Sequence, residues 1–347
     1  LGKNQSIVIT TTSSIDPPVV AASTMSDNNA IRDDHQERWL VDDEGQRWFI
    51  YRQGMTSEDI PDGVTHVIVQ EGTIRIEDDT FHNGDGKFDS LQVIKIAKTL
   101  EEIGARAFDR CKNLVKVEIP TDSCLTTIGQ IAFRYCAFRY CVSLEDITLP
   151  QSIRTLGEGT FYQCRCLAKI NFPPQLNRLG NGCFDDSGLM KADLGHCLLM
   201  VEIPAFGFSE CGQLETIALP PNLEMIGKRA FHRCASLKSI LFPKTIRQIE
   251  SSSFEDCLTL TTLEFESFAT ISALMTDPRD SRFFGCRQLH TIKWSPNQEA
   301  AIPPAIWPQI IAKGFWSDRG LLQELPARNR HSCIFSFLCS IREELRG

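Results

Sequence analysis

Fourteen cysteines are the residues best equipped for chemistry in this chain of 347 residues. A thiolate can ligate zinc, act as a nucleophile or join a disulfide. Seven of them, taken one per repeat, share one setting, a phenylalanine three residues ahead. These are Phe108/Cys111, Phe138/Cys141, Phe161/Cys164, Phe208/Cys211, Phe231/Cys234, Phe254/Cys257 and Phe283/Cys286. A structural zinc site needs ligands in two close pairs, and neither Cys164-Arg165-Cys166 nor Cys333/Cys339 supplies them. One cysteine per regularly spaced segment fits a column of small buried thiols better than it fits a reactive centre.

The other candidates are weaker. The stretch "HNGDGKFDS", residues 82–90, resembles a calcium loop through Asp85 and Asp89. It lacks the D-x-[DN]-x-[DN]-G order and the distal Glu, so it reads as a solvated insertion. The seven histidines do not cluster, and no nucleophile elbow, phosphate loop or metalloprotease helix is present. No catalytic, cofactor-binding or metal-ligating residue is assigned, and the chain is not read as an enzyme.

What positions the cysteines is a repeat. Phe81 and Phe184 occupy the phenylalanine slot without the cysteine, and the gaps 138–161, 161–184, 208–231 and 231–254 are all 23 residues. A fixed period of this size marks a solenoid, whose units bury their apolar faces against their neighbours. Residues 223–243, "LEMIGKRAFHRCASLKSILFP", display one unit. Its Leu237-x-x-Ile240-x-Phe242 segment has two inward apolar residues at strand spacing, with Ser239 and Leu241 facing out. Equivalent segments from Val64–Val69 to Leu289–Trp294 make about ten parallel rungs. Proline after the strand (Pro120, Pro150, Pro173, Pro220, Pro243) ends pairing, and glycine after Ile or Leu (Gly104, Gly129, Gly157, Gly180, Gly227) fits a tight corner. The Ala-Phe-x-x-Cys arc reads as one short helical turn, which makes the expected class an α/β solenoid.

The pattern I-G-x-x-A-F-x-x-C-x-x-L-x-x-I-x-L-P resembles the BspA-like leucine-rich repeat, over roughly residues 60–295. The resemblance implies a curved solenoid used for protein recognition, with no catalytic residues to carry over. Some relatives are surface adhesins. Residues 183–207 depart from the pattern: Pro204 stands where Gly is usual and Gly195 replaces the post-strand proline, so that rung should be irregular.

One unit contains a stutter, "AFRYCAFRYC", residues 132–141. Its first copy is in register with the upstream repeat and its second, Phe138 to Cys141, with the downstream one. The duplication therefore lengthens one arc and shifts no rung. Residues 1–35 are rich in Ser, Thr, Asp, Asn and Pro and are read as a disordered tail, with Met25 a possible start. Residues 36–60 form an N-terminal cap, a β-hairpin around Asp43-Glu44-Gly45 covered by Trp39, Trp48, Phe49 and Tyr51. The solenoid spans 61–295. Residues 296–347 form a helical cap, with Ile334, Leu338, Ile341 and Leu345 along one helix face and a second short helix at Ile306 to Lys313.

The net charge of −8 argues against a nucleic-acid surface, and no apolar run reaches the ~20 residues of a membrane span. Unpaired thiols and a lack of signal-peptide features in "LGKNQSIVIT" point to an intracellular, cytoplasmic protein. A secreted or cell-surface adhesin is the alternative if a signal precedes Leu1. The outward strand positions carry the binding expectation. Early rungs alternate charges, while later ones turn small and mostly neutral. Thr216, Ala218, Ser239, Leu241, Thr262 and Glu264 form a candidate protein-binding patch, because interface cores are depleted of charge. The competing reading is the ordinary β-propensity of threonine. The expected function is a non-catalytic protein–protein interaction scaffold whose partner is another protein.

Overall fold

The computed structural model describes residues 38–136, 144, 146–266, 282–289 and, for the backbone, 291–294. An antiparallel hairpin comes first: β1 (Trp39–Val41) pairs β2 (Arg47–Tyr51) with Trp39 opposite Phe49, and Gly45 turns the chain at φ +80°. β2 then pairs in parallel with β3 (His66–Val69), so the hairpin continues directly into the repeat array.

Each turn of the solenoid has two short strands and one arc. The first row comprises β3, β5 (Val93–Lys95), β7 (Lys116–Glu118), β9 (Asp146–Ile147), β11 (Lys169–Ile170), β13 (Lys191–Asp193), β15 (Thr216–Ala218), β17 (Ser239–Phe242), β19 (Thr262–Phe265) and β20 (Thr291–Trp294). The second row comprises β4 (Arg75–Ile76), β6 (Glu102–Ile103), β8 (Thr127–Ile128), β10 (Thr155–Leu156), β12 (Arg178–Leu179), β14 (Glu202–Ile203), β16 (Met225–Ile226) and β18 (Gln248–Ile249). Turns with strands in both rows number eight, so the expectation of about ten, which counted the first row alone, is corrected to about eight among the described residues.

The arcs are not helical, and among the described residues no α-helix occurs; the solenoid is a parallel β structure. The hydrogen bonds give the reason. Arg106, Phe108 and Arg110 donate their N–H groups to Gln130, Ala132 and Arg134 of the next turn. The residues between them close i→i+3 turns, such as Asp109 N–H to Arg106 and Cys111 N–H to Phe108. An α-helix needs every N–H for its own i−4 carbonyl. The alternation also places Arg106 and Arg110 in the left-handed region, at φ 54° and 66°. The same pair of positions is left-handed in the turns carrying Arg229/Arg233 and Ser252/Asp256. Each arc is thus a third backbone ladder along the solenoid.

The core follows from this stacking. Phe81, Phe108, Phe133, Phe161, Phe184, Phe208, Phe231, Phe254 and Phe283 form one column, with successive centroids 5.1–5.6 Å apart and ring planes within 11°. The stutter enters this column through its first copy. Phe133 and Cys136 fill the slots, which corrects the assignment to Phe138 and Cys141. The second copy, the stretch 267–281, the proposed helix of Ile334, Leu338, Ile341 and Leu345, and Ile306 to Lys313 lie outside the described residues.

Five of the eight second-row strands, β6, β8, β10, β12 and β16, are followed by a glycine that sits where turns approach closely. A Cβ on Gly129 would lie 2.7 Å from Ala105 N, and one on Gly180 would lie 2.2 Å from Glu158 N. None of these glycines has positive φ, so close approach rather than turn conformation requires them. Each also donates its N–H to the preceding turn: Gly104 to Ile76, Gly129 to Ile103, Gly157 to Ile128, Gly180 to Leu156 and Gly227 to Ile203. Pro204 occupies this slot in the turn expected to be irregular. It has no N–H to donate to the preceding turn. The second row accordingly divides into β4–β6–β8–β10–β12 and β14–β16–β18; the first row is interrupted between β11 and β13, as it also is between β7 and β9 and between β15 and β17. The arc crosses this seam intact, through Gly182, Phe184 and Asp186 donating to Ala205, Gly207 and Ser209, and beside the first row Met190 N–H still reaches Ala168 O at 3.4 Å.

Candidate binding surfaces of the repeat array

The cysteine slot is structural in its geometry. Each thiol donates to the carbonyl of the column phenylalanine one turn back: Cys111 Sγ to Phe81 O at 3.1 Å, Cys136 to Phe108 O at 3.0 Å, Cys164 to Phe133 O at 3.0 Å and Cys211 to Phe184 O at 3.0 Å. Cys234, Cys257 and Cys286 continue the series on Phe208, Phe231 and Phe254 at 3.0–3.1 Å. Burial pushes the Cys211 thiol up to about 12 and likewise raises those of Cys111, Cys164 and Cys234, so none is a thiolate at neutral pH. The eleven cysteines among the described residues are all free. Ser187 takes the slot after Phe184 and lies 3.2 Å from Cys211 Sγ.

The insertion after Phe81 is organised around buried Asn83. Its Oδ1 accepts the Phe88 N–H at 2.9 Å, and its Nδ2 donates to Asp89 Oδ1 at 2.7 Å. Phe88 folds back, edge-on, against Phe81. Asp85 accepts the Lys87 N–H at 3.1 Å, so its carboxylate and that of Asp89 serve the loop itself. Among the described residues no group of His, Cys, Asp and Glu is arranged to hold a metal ion.

Charged side chains tie the arcs together between turns. Arg106 makes a two-point contact with Asp79 at 2.7 Å, and Arg134 does the same with buried Asp109 at 2.7 and 3.0 Å. Arg165 pairs with Asp186, and Arg233 with Glu210 at 3.2 Å.

Strand register builds the outward face of the first row. Ser239 stands opposite Thr262 and Leu241 opposite Glu264, while Lys191 and Asp193 stand opposite Thr216 and Ala218. The candidate residues Thr216, Ala218, Ser239, Leu241, Thr262 and Glu264 therefore all lie in two columns on one face. Leu241 is 48% exposed.

A groove on this face lies elsewhere, at its N-terminal end. It has a volume of ≈ 830 Å³, and Leu40, Ile50, Ile68, Lys95, Glu118 and Asp146 are among the residues lining it. Parallel register places Ile50 beside Ile68, and Ile68 beside Lys95. Trp48 also belongs to this outward face, which corrects its assignment to the core-covering side of the hairpin. Its ring lies 4.0 Å from Lys95 Nζ and edge-on to His66 at 4.9 Å, and its Nε1 donates to Asp42 at 2.8 Å. The Trp48 hydrogen bond holds Asp42 below the usual carboxylate range, and burial holds His66 below the usual imidazole value. Lys116 and Lys95 flank Glu118 at 2.7 and 3.9 Å. The apolar floor of Leu40, Ile50 and Ile68 escaped the sequence reading. The strand alternation in "RWFIY" was the available signal.

Comparison with known proteins agrees with this architecture. The model of the BspA type leucine rich repeat region matches in six copies, over residues 62–189, 136–261 and 201–302. A leucine-rich repeat protein of T. pallidum is 23% identical, with a TM-score of 0.44 over 57% of this chain and 86% of that one. One from Eubacterium ventriosum is 18% identical, with a TM-score of 0.38 over 74% and 82%. The pneumococcal vaccine antigen PcpA is 18% identical, with a TM-score of 0.31 over 70% and 79%. No curated protein matches the chain at a significant level.

Proposed function

The chain belongs to the BspA-type leucine-rich repeat family, and from that membership we propose that it is a non-catalytic scaffold that binds a protein partner on the outward face of its first strand row. The groove of ≈ 830 Å³ carries the reading. It combines an apolar floor with a rim of Lys95, Lys116, Glu118 and Asp146, an arrangement typical of protein interfaces. The Leu241 patch is a second contact region on the same face. A partner long enough to follow the row meets both.

The test is affinity purification from cells with the parent chain, followed by binding measurements with the purified partner. Ile68→Arg should weaken binding by ~2 kcal/mol or more, the scale of a lost hot spot. Leu241→Arg should weaken it too if the partner spans the row, while Lys169→Glu should matter less. A partner that binds Ile68→Arg and Leu241→Arg as well as the parent removes this face from consideration. Turnover of a small molecule traced to this chain would remove the scaffold reading itself. The buried thiols fit a reducing compartment, and an intracellular location is part of the proposal. In denaturant without reductant, all 14 cysteines should then titrate as free thiols. Four or more in disulfides would instead favour the cell-surface alternative.

A further inference from the structure

The seam at Pro204 is more than a missing hydrogen bond. In the other second-row junctions the preceding strand offers two forward-facing carbonyls. Arg154 O accepts from Asn177 and Arg178, and Leu156 O accepts from Gly180. The matching acceptors on β12 are Asn177 O and Leu179 O, and among the described residues neither receives a backbone N–H. Across the seam, Val201 and Glu202 offer N–H groups that find no carbonyl on β12. Both walls thus carry backbone groups with no backbone partner across the seam, although the turns stay joined at Gly182–Ala205 and Met190–Ala168.

Two further features converge on this place. A groove of ≈ 950 Å³ runs over β8, β10 and β12 and ends against Leu199, Val201, Glu202 and Pro204. Leu198, Leu199 and Val201 are 57%, 56% and 51% exposed. The turns on either side put Asn177 and Glu224 where this turn puts Val201. Its charges are also left open. Arg75 and Glu102 stand opposite each other in adjacent second-row strands and pair at 3.5 Å. Arg178 and Glu202 hold the same two positions on either side of the seam, yet they form no ion pair among the described residues.

We propose that the seam between β12 and β14 is a second binding site, which takes an extended peptide segment of another protein by strand addition. The peptide backbone would use the Asn177 and Leu179 carbonyls. Its alternate apolar side chains would lie on Leu199 and Val201. An acidic residue would face Arg178 and a basic one Glu202, which is the charge complement of the two unpaired groups. Strand addition draws affinity from main-chain hydrogen bonds and specificity from alternate side chains, and both are on offer here.

The probe is a library of random heptapeptides displayed on phage and panned on the full chain. Enriched peptides should alternate apolar residues and carry one acidic and one basic residue. A synthetic copy of the best one should bind with Val201→Lys at least ten-fold weaker than parent. Pro204→Gly should weaken it similarly by closing the seam, and Ile68→Arg should leave it unchanged. Hydrogen exchange at Val201 and Glu202 should slow when the peptide is bound, a readout that survives even if Pro204→Gly folds poorly. The proposal is overturned if no peptide enriches, or if enriched peptides bind Val201→Lys and Pro204→Gly like the parent. It is also overturned if the parent self-associates and Val201→Lys abolishes that association, which would assign the groove to a second copy of the chain.

Discussion

Asp185 shows how a single residue in an arc is held against its preference. It follows the column residue Phe184 and is half-buried, with Asp186 and Glu210 nearby. Burial pushes its carboxyl up to about 6 from an ordinary value of 3.8, against a Ser209 hydrogen bond that works the other way. A carboxyl whose pKa is higher in the fold keeps a proton that the unfolded chain has already released. Its contribution is therefore favourable at low pH and is lost as pH rises from about 4 through about 6. One pKa unit is worth about 1.4 kcal/mol, but partial exposure screens the effect, so ~1 kcal/mol is the reasonable scale. Asp185→Asn keeps an acceptor for Ser209 and removes the charge. It should be more stable than the parent by about this much near pH 7.5, with the gap closing near pH 4. Urea midpoints across that range check it; a gap that widens on acidification would mean that Asp185 is a stabilising carboxylate. The cysteines teach the complementary lesson. Their spacing told that they are buried together, since one small residue per turn has nowhere else to be. Their bond to the phenylalanine carbonyl one turn back was not legible, because it depends on the arc's backbone and not on any neighbour in sequence.

At the scale of the element, the arc is where the sequence misleads. The residues of "KRAFHRC" are all tolerated in a helix, and nothing in them shows that alternate N–H groups leave for the next turn. The left-handed positions are filled by Arg229 and Arg233 rather than glycine, so the usual turn signal is missing too. The strands were easier to see because alternation survives even in segments of two or three residues. The stutter sits between these cases. The duplication itself was visible, but the two copies are identical, so only the stacked rings of Phe108, Phe133 and Phe161 decide which one fills the slot. That outcome fixes an expectation for the other copy. Deleting Ala137 to Cys141 removes nothing from the phenylalanine column or from the Cys136 bond to Phe108. The shortened chain should fold with equal or slightly higher stability, by ~0.5 kcal/mol on loop-closure scaling. Thermal unfolding of the deletion variant measures it. A drop of many degrees would show that the second copy packs in a way the first cannot replace.

Across the whole repeat array, stability is a sum of turn-to-turn interfaces, because each turn touches only its neighbours. The period of 23 made that plan readable. The groove at the N-terminal end was not, because Leu40 and Ile50 reach the first row only through the parallel pairing of β2 with β3. The seam was half legible: Pro204 in a glycine slot marks an irregular turn, but the break in the second row follows only once those glycines are seen to donate across turns. In such an array one weak interface limits cooperativity. Every interface between second-row strands from β4 to β12 and from β14 to β18 is paired, while β12 and β14 are not paired and their turns are joined chiefly by the arc ladder. Losing the donor and the strand pairing there forfeits several hydrogen bonds worth about 1 kcal/mol each. The turns before and after the seam should therefore unfold as separable blocks. Hydrogen exchange in low urea should show Glu224 and Met225, paired on both sides, protected by more than Val201 and Glu202, and the two blocks should exchange with different urea slopes. Pro204→Gly restores a donor aimed at Leu179 O. It should bring the slopes together and sharpen the denaturant transition, even if the more flexible unfolded chain offsets part of the gain in stability. A parent in which all these amides share one slope would mean that the arc ladder and the phenylalanine column alone carry full coupling across the seam.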